Sequence, residues 1–291
     1  MRIRRSRLLP LVSVALLAAV SVACSPEEEA EDRTGDVAEA DECATDQLPL
    51  KTEGVLTIGT DSPAYEPWFV DNDPSNGQGF ESAVAYAVAE ELGFEREQVK
   101  WIKVGFNSLF KPGGTDFDFD INQISITDAR EKVVDFSDGY YSASQAVIAL
   151  KGSAAAKAKS LDELKKLRLG AQTGTTSLSA ITDVIQPDQQ PLVFDDTNAA
   201  KQALLNDQVD AILADLPTAF YITAVEIPKG TIVGQFQPTT GETEQFGMLF
   251  EQGSGLVPCV NRALATLKSD GTLADIENRW LSQVVDVPVL K

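Results

Sequence analysis

Apolar positions along this chain follow two rhythms. Short runs such as VLTIGT (Val55 to Thr60) and VKWIKV (Val99 to Val104) are rich in branched residues and predict strands. Between them, GFESAVAYAVAEELG (Gly79 to Gly93) predicts a helix with Phe80, Val84, Ala87, Val88 and Leu92 on one face and Gly93 closing it. A further strand is predicted over FDFDINQISI (Phe117 to Ile126), then a short helix N-capped by Thr127. Downstream the order repeats. SLDELKKL (Ser160 to Leu167) opens with a Ser-x-x-Glu capping box, RLGAQ (Arg168 to Gln172) reads as a strand, and GTTSLSAITDVI (Gly174 to Ile185) as a helix. TNAAKQALLNDQ (Thr197 to Gln208) leads as a helix into the strand VDAILAD (Val209 to Asp215). This alternation predicts an α/β fold of parallel sheets flanked by helices, and it occurs twice. Two last helices are predicted in PCVNRALATLKSDGTLADIENRWL (Pro258 to Leu281), broken at Gly271. From Thr45 to Lys291 the chain is long for one core and fits two lobes.

The first 44 residues lie outside this pattern. A basic segment (Met1 to Arg7) precedes an apolar run (Leu8 to Ala23) too short for a membrane span, so residues 1–23 are predicted to be a signal peptide. VSVAC resembles a bacterial lipobox, with Ser21 where that motif has an aliphatic residue; Cys24 would then carry lipid. The alternative is a plain secretory signal with an incidental cysteine. Ser25 to Glu42 is crowded with carboxylates and nearly free of apolar residues, so residues 24–44 are expected to be an anchor and a disordered acidic tether. The expected location is outside the cell, lipid-anchored on the outer face of the bacterial cytoplasmic membrane.

Charge and composition exclude several chemistries. The net charge of −20 becomes about −24 once the four signal-peptide arginines are removed, which argues against nucleic-acid binding. The chain has no histidine and only Cys24, Cys43 and Cys259, so histidine triads are excluded and no metal or other cofactor is expected. With Cys24 acylated, Cys43 and Cys259 form an even pair in an exported protein, and a disulfide is expected; the alternative is two separate buried thiols.

In ISITDAREKVVDFSDGYY, Arg130 falls in the first turn after Thr127, where a carboxylate would complement the helix dipole and a cation does not. One explanation is an anion held by both, such as an α-carboxylate gripped by two parallel guanidinium hydrogen bonds. The other is a surface ion pair with Asp135 or another exposed carboxylate.

IGTDSPAYEPW, GFESAVAYAVAEELG, ISITDAREKVVDFSDGYY, GAQTGTTS, VDAILADLPTAFY, EQFGMLF and LKSDGTLADIENRW occur in an order and spacing that resembles the extracytoplasmic solute-binding proteins of polar amino-acid ABC importers, family 3, glutamine-binding type. The resemblance implies a type II periplasmic-binding-protein-like fold. Lobe 1 would comprise residues 45–145 and 250–291, lobe 2 residues 152–243, and the hinge strands 146–151 and 244–249. It also implies a ligand between the lobes. Arg130 and the backbone of Gly174, Thr175, Thr176 and Ser177 would hold its carboxylate, Asp215 its ammonium, and Ser125 and Thr127 both groups. Read by themselves, the Gly-Thr segment is an ordinary turn, and Asp215 before Leu216-Pro217 a helix N-cap. Tyr65 and Phe106 would wall the aliphatic stem, or be ordinary core residues. Asp61 would meet the distal end. With neutral Gln172 and Gln123 near it, and Ala83 where many members are acidic, an uncharged polar amino acid such as glutamine or asparagine is expected first. A cationic one paired with Asp61 comes second and an acidic one third. The expected function is capture by lobe closure and delivery to a membrane permease, by a monomer that is not an enzyme. The alternative on the same fold is a cyclohexadienyl dehydratase using Asp61, Asp215 or Tyr65 as acid or base.

Overall fold

A computed structural model describes residues 42–111, 113–237, 243–281 and 287–291. The predicted signal peptide, Cys24 and nearly all of the tether lie outside the described residues. In chain order the first elements are β1 (Leu56–Thr60), α1 (Phe80–Glu91), β2 (Val99–Lys103), β3 (Phe119–Asp120), β4 (Asp135–Phe136), β5 (Tyr141–Ala143) and β6 (Gln145–Leu150). There follow α2 (Leu161–Leu164), β7 (Leu169–Gln172), α3 (Thr176–Ser179), β8 (Leu192–Phe194), α4 (Thr197–Leu205), β9 (Ala211–Asp215), α5 (Leu216–Tyr221) and β10 (Gly230–Phe236). The last are β11 (Glu244–Phe246), β12 (Leu249–Phe250), α6 (Val257–Ser269) and α7 (Thr272–Leu281).

Among the described residues these build two five-stranded sheets and one two-stranded ribbon, β5/β11. The first has the order β2-β1-β3-β12-β4 and the second β10-β6-β9-β7-β8. Each has a parallel core, β2-β1-β3 and β9-β7-β8, as the strand–helix alternation predicts. Each also carries antiparallel strands that return from the other half of the molecule: β12 against β3 and β4, and β6 against β9 and β10. Helix α1 buries Phe80, Val84, Val88 and Leu92 against the first sheet, while Ala87 stays half-buried. Gly93 ends the helix at φ 84°, a left-handed conformation that favours glycine.

Several boundaries differ from expectation. Residues 146–150, expected to be a hinge, lie inside the second sheet as most of β6, between β9 and β10. Their continuous apolar run is what a strand covered on both faces requires. The chain passes between the halves one step earlier, in the antiparallel pair β5/β11, where Ala143 faces Glu244 and Tyr141 faces Phe246. The last five residues, expected in lobe 1, pack on the second half. Leu290 is buried in its core, and Gln235 donates to the Pro288 carbonyl at 2.8 Å. The strand predicted over Phe117 to Ile126 shrinks to β3, because Gln123 adopts φ 48° and turns the chain away from the sheet. The helix predicted from Gly174 to Ile185 is α3 followed by a wider π turn, Ala180–Ile185.

Cys43 and Cys259 are joined by a disulfide. It ties the first described residues to the N-terminal turn of α6 within the first hydrophobic core.

Candidate functional site

In parallel α/β sheets the carboxyl ends of the strands leave a crevice that neighbouring loops can furnish. Here both sheets turn those ends toward one shared cleft. Asp61 follows β1, Phe106 follows β2, and Asn122, Gln123 and Ser125 follow β3; Gln172 and Asp215 end β7 and β9, and Thr197 opens α4 after β8. All of them line one cavity of about 630 Å³, partly open to solvent, together with Tyr65, Arg130, Thr175, Thr176, Ser177 and Thr218. Thr127 is outside the lining, where its hydroxyl accepts the Arg130 N–H at 3.3 Å. The two halves touch across the cleft: Trp68 donates to Thr218 Oγ1 at 2.7 Å, and the Ser125 and Thr176 hydroxyls lie 3.2 Å apart.

Arg130 sits in successive turns after Thr127 rather than in a regular helix. Its guanidinium donates to the Ser125 carbonyl at 2.7 Å and to the Gly174 carbonyl, from the opposite half, at 3.0 Å. It stacks 4.6 Å from the centre of the Phe110 ring and 5.6 Å from that of Phe106. Burial lowers its pKa to about 10, which leaves it charged at neutral pH. The surface-pair alternative does not hold: Asp135 instead accepts the Gly253 N–H at 2.7 Å, and among the described residues Arg130 forms no ion pair. A half-buried cation with donors still free faces the cleft.

Opposite stands Asp215. It occupies the N-cap position of α5, yet its side chain caps nothing. Its Oδ1 accepts from Gln145 Nε2 at 2.8 Å. The same amide nitrogen reaches Glu244 Oε2 at 3.0 Å, and Glu244 accepts from the Ser125 hydroxyl at 2.5 Å. One amide thus bridges two carboxylates, the half-buried Asp215 and the buried Glu244. Burial, then the neighbouring Glu244 charge, pushes the Asp215 carboxyl well above its ordinary range. Such a carboxylate is stabilised by any cation brought beside it.

The remaining predicted residues have partners that define their roles. Gln172 Oε1 accepts from Thr197 at 3.0 Å, and Thr175 caps α3 by accepting the Leu178 N–H at 3.2 Å. The Gln123 side chain is engaged by buried Glu81, which also accepts the Gln123 N–H at 2.6 Å and the Tyr140 hydroxyl. Gln123 thus lines the cavity with its amide nitrogen held by the scaffold. Sequence reading missed Asn122, Gln145, Glu81 and Glu244. Only Glu81 carried a local signal, as a charged residue on the apolar face of α1.

Glu81 sets a pH dependence. Burial pushes its pKa up to about 7, so the folded protein keeps a proton that the unfolded chain loses near 4.5. Stability should therefore fall as pH rises from about 4.5 through about 7, by on the order of 3 kcal/mol from this group. Asp118 and Asp120, also raised by burial, act in the same direction. Calorimetric melting of ligand-free protein should show a higher Tm at pH 5 than at pH 7.5, and Glu81→Gln should flatten that slope. An unchanged slope in the variant would remove Glu81 as its source.

A profile of the bacterial extracellular solute-binding proteins, family 3, matches residues 56–283. The chain belongs to that family. Among relatives of this family 3 protein, the ABC transporter glutamine-binding protein GlnH of Bacillus subtilis is 30% identical over 218 residues, covering 72% of this chain and 76% of GlnH. The L-cystine-binding protein TcyJ of Escherichia coli K12 is 28% identical over 237 residues, covering 79% and 84%. Among solved structures, the arginine-, lysine-, histidine-binding protein ArtJ of Geobacillus stearothermophilus superposes with a TM-score of 0.66 at 27% identity, over 80% of this chain and 97% of that one. The two-sheet α/β architecture of this family 3 protein is accordingly the type II periplasmic-binding-protein-like fold.

Proposed function

We propose that this family 3 protein captures a polar α-amino acid in the cleft between its halves and delivers it to the permease of an ABC importer. The observation that carries this reading is the pair Arg130 and Asp215: a half-buried guanidinium and a half-buried carboxylate that caps nothing, lining one cavity. Together they are the charge complement of a zwitterion. The cavity draws one group from each half, so ligand favours the closed arrangement, and the β5/β11 ribbon is the place for a hinge. The relatives' names, for glutamine, cystine and basic amino acids, support the ligand class. The protein acts as a monomer, without turnover, anchored outside the membrane through Cys24.

Thermal shift with a panel of free amino acids tests this reading on wild type and Arg130→Lys. Lysine keeps the charge and loses the planar two-bond grip, so the variant should bind about tenfold or more weakly. Equal stabilisation of both proteins by ligand would remove Arg130 from the site. Asp61, Asp215 and Tyr65 all line the cleft, so product analysis in the same mixtures checks the dehydratase alternative. Release of a dehydrated product would overturn the transport reading.

A further inference from the structure

We propose that Glu244 acts on the ligand through Asp215, as a positioning residue of the ammonium subsite: the two carboxyl groups share one proton in the ligand-free protein, and the arriving ammonium displaces it. The inference rests on the amino-acid-binding reading and adds a proton to its balance.

Strand register brings the pair together. Gln145, the first residue of β6, lies opposite Asp215, the last of β9, and Glu244, the first of β11, lies opposite Ala143. Gln145 is fully buried, and its Nε2 donates to Asp215 Oδ1 at 2.8 Å and to Glu244 Oε2 at 3.0 Å, so those two oxygens lie within about 6 Å of each other. The amide cannot turn over. Its Oε1 accepts from the Ser177 hydroxyl at 2.5 Å, and a reversed amide would aim a carbonyl at two carboxyl groups. Asp215 lines the cavity, whereas Glu244 is buried outside the lining with its other oxygen accepting the Ser125 hydroxyl. A ligand in the cavity therefore meets Asp215 and feels Glu244 from behind it.

Two like charges this close favour keeping one of them neutral. The charged and titratable groups around Asp215 are Glu244, Arg130, Glu81 on α1 and the Tyr140 and Tyr141 hydroxyls. Arg130 is the one cation in this group, and its guanidinium donates to the Ser125 and Gly174 carbonyls. Neither Asp215 nor Glu244 forms an ion pair among the described residues. Desolvation, then the Glu244 charge, raises the Asp215 carboxyl, so Asp215 holds the proton.

An α-ammonium reverses that balance. The Asp215 O–H bond breaks, the proton leaves to water through the partly open cavity, and the ammonium keeps its three hydrogens as donors to the new carboxylate. Because the raised carboxyl must lose its proton to bind, affinity rises with pH until Asp215 ionises unaided, and then levels. An Asp215 already ionised in the ligand-free protein would bind alike across the same range.

Isothermal titration with glutamine and with arginine, neither of which changes its own charge between about pH 6 and 7.5, reads the proton directly when each titration is run in phosphate and in bis-Tris. The two buffers take up a proton with very different heats. Wild type should release about one proton per ligand near pH 6, with Kd weakening by about tenfold for each pH unit of acidification. Glu244→Gln, which can keep both hydrogen bonds and removes the like charge, should release roughly half as much or less and flatten the Kd profile. Glu81→Gln, which removes a carboxyl that touches Gln123 instead of Asp215, should release as much as wild type. Equal heats in both buffers, undiminished release from Glu244→Gln, or release lost in Glu81→Gln would overturn the proposal while leaving an amino-acid binder in place. No heat from wild type with these or any other common amino acid would instead sink the transport reading, and this inference with it.

Discussion

Asp215→Asn should abolish binding of every amino-acid ligand while raising the thermal stability of the ligand-free protein. The two effects share a cause. Asp215 lies half-buried in the cleft wall beside a second carboxylate, the buried Glu244, and desolvation with that like charge raises its pKa. Removing the charge relieves the ligand-free state, because an uncompensated buried ion is costly. In the complex the same charge answers the ammonium common to all α-amino acids, and deleting it in a closed cleft should cost roughly 3 to 5 kcal/mol of binding, over a hundredfold in Kd. A residue that only capped α5 would behave oppositely, since loss of a cap lowers stability and leaves affinity alone. Differential scanning calorimetry with and without ligand reads both effects. A destabilised variant that still binds normally would return Asp215 to a structural role.

Reduction of the Cys43–Cys259 disulfide should lower stability by about 2 to 5 kcal/mol, the range for native disulfides, with little effect on ligand affinity. The bond closes a sequence separation of 216 residues, so breaking it frees a large part of the unfolded chain. Cys259 is buried at the start of α6, and Cys43 packs against the same core, so both ends belong to the half built on the first sheet. No closing motion need strain the bond. Denaturant melts with and without reductant should separate clearly, while ligand titrations should superimpose. Two freely alkylated thiols in protein recovered from outside the cytoplasm would show that the bond does not form there.

Much of the scaffold was legible because it is written in local patterns. The apolar face of α1, the Gly93 stop and the strand β1 each follow from spacing within a dozen residues. The helix expected after Thr127 was not legible: the chain there forms successive turns, and Arg130 reaches the cleft from one of them. What escaped depends on long-range pairing. Gln145 touches both Asp215 and Glu244, 70 and 99 residues away, and no local rhythm announces such a bridge. Asp120 looked like one more acidic residue in FDFDIN until strand register set it over Gly59. Residues 146–150, expected to be a link, lie inside the second sheet for a related reason: an apolar strand reads alike whether it links two halves or runs through the middle of a sheet.

An amino-acid site here requires that one zwitterion bind between Arg130 and Asp215. Isothermal titration of the purified, ligand-free protein with the common amino acids and L-cystine tests it most directly. Saturable heat at one ligand per chain for at least one polar amino acid is the predicted result, lost when the α-carboxylate is converted to an amide and when the α-amine is acetylated. Absence of heat with every amino acid, or a ligand that binds equally well with either group blocked, would contradict it.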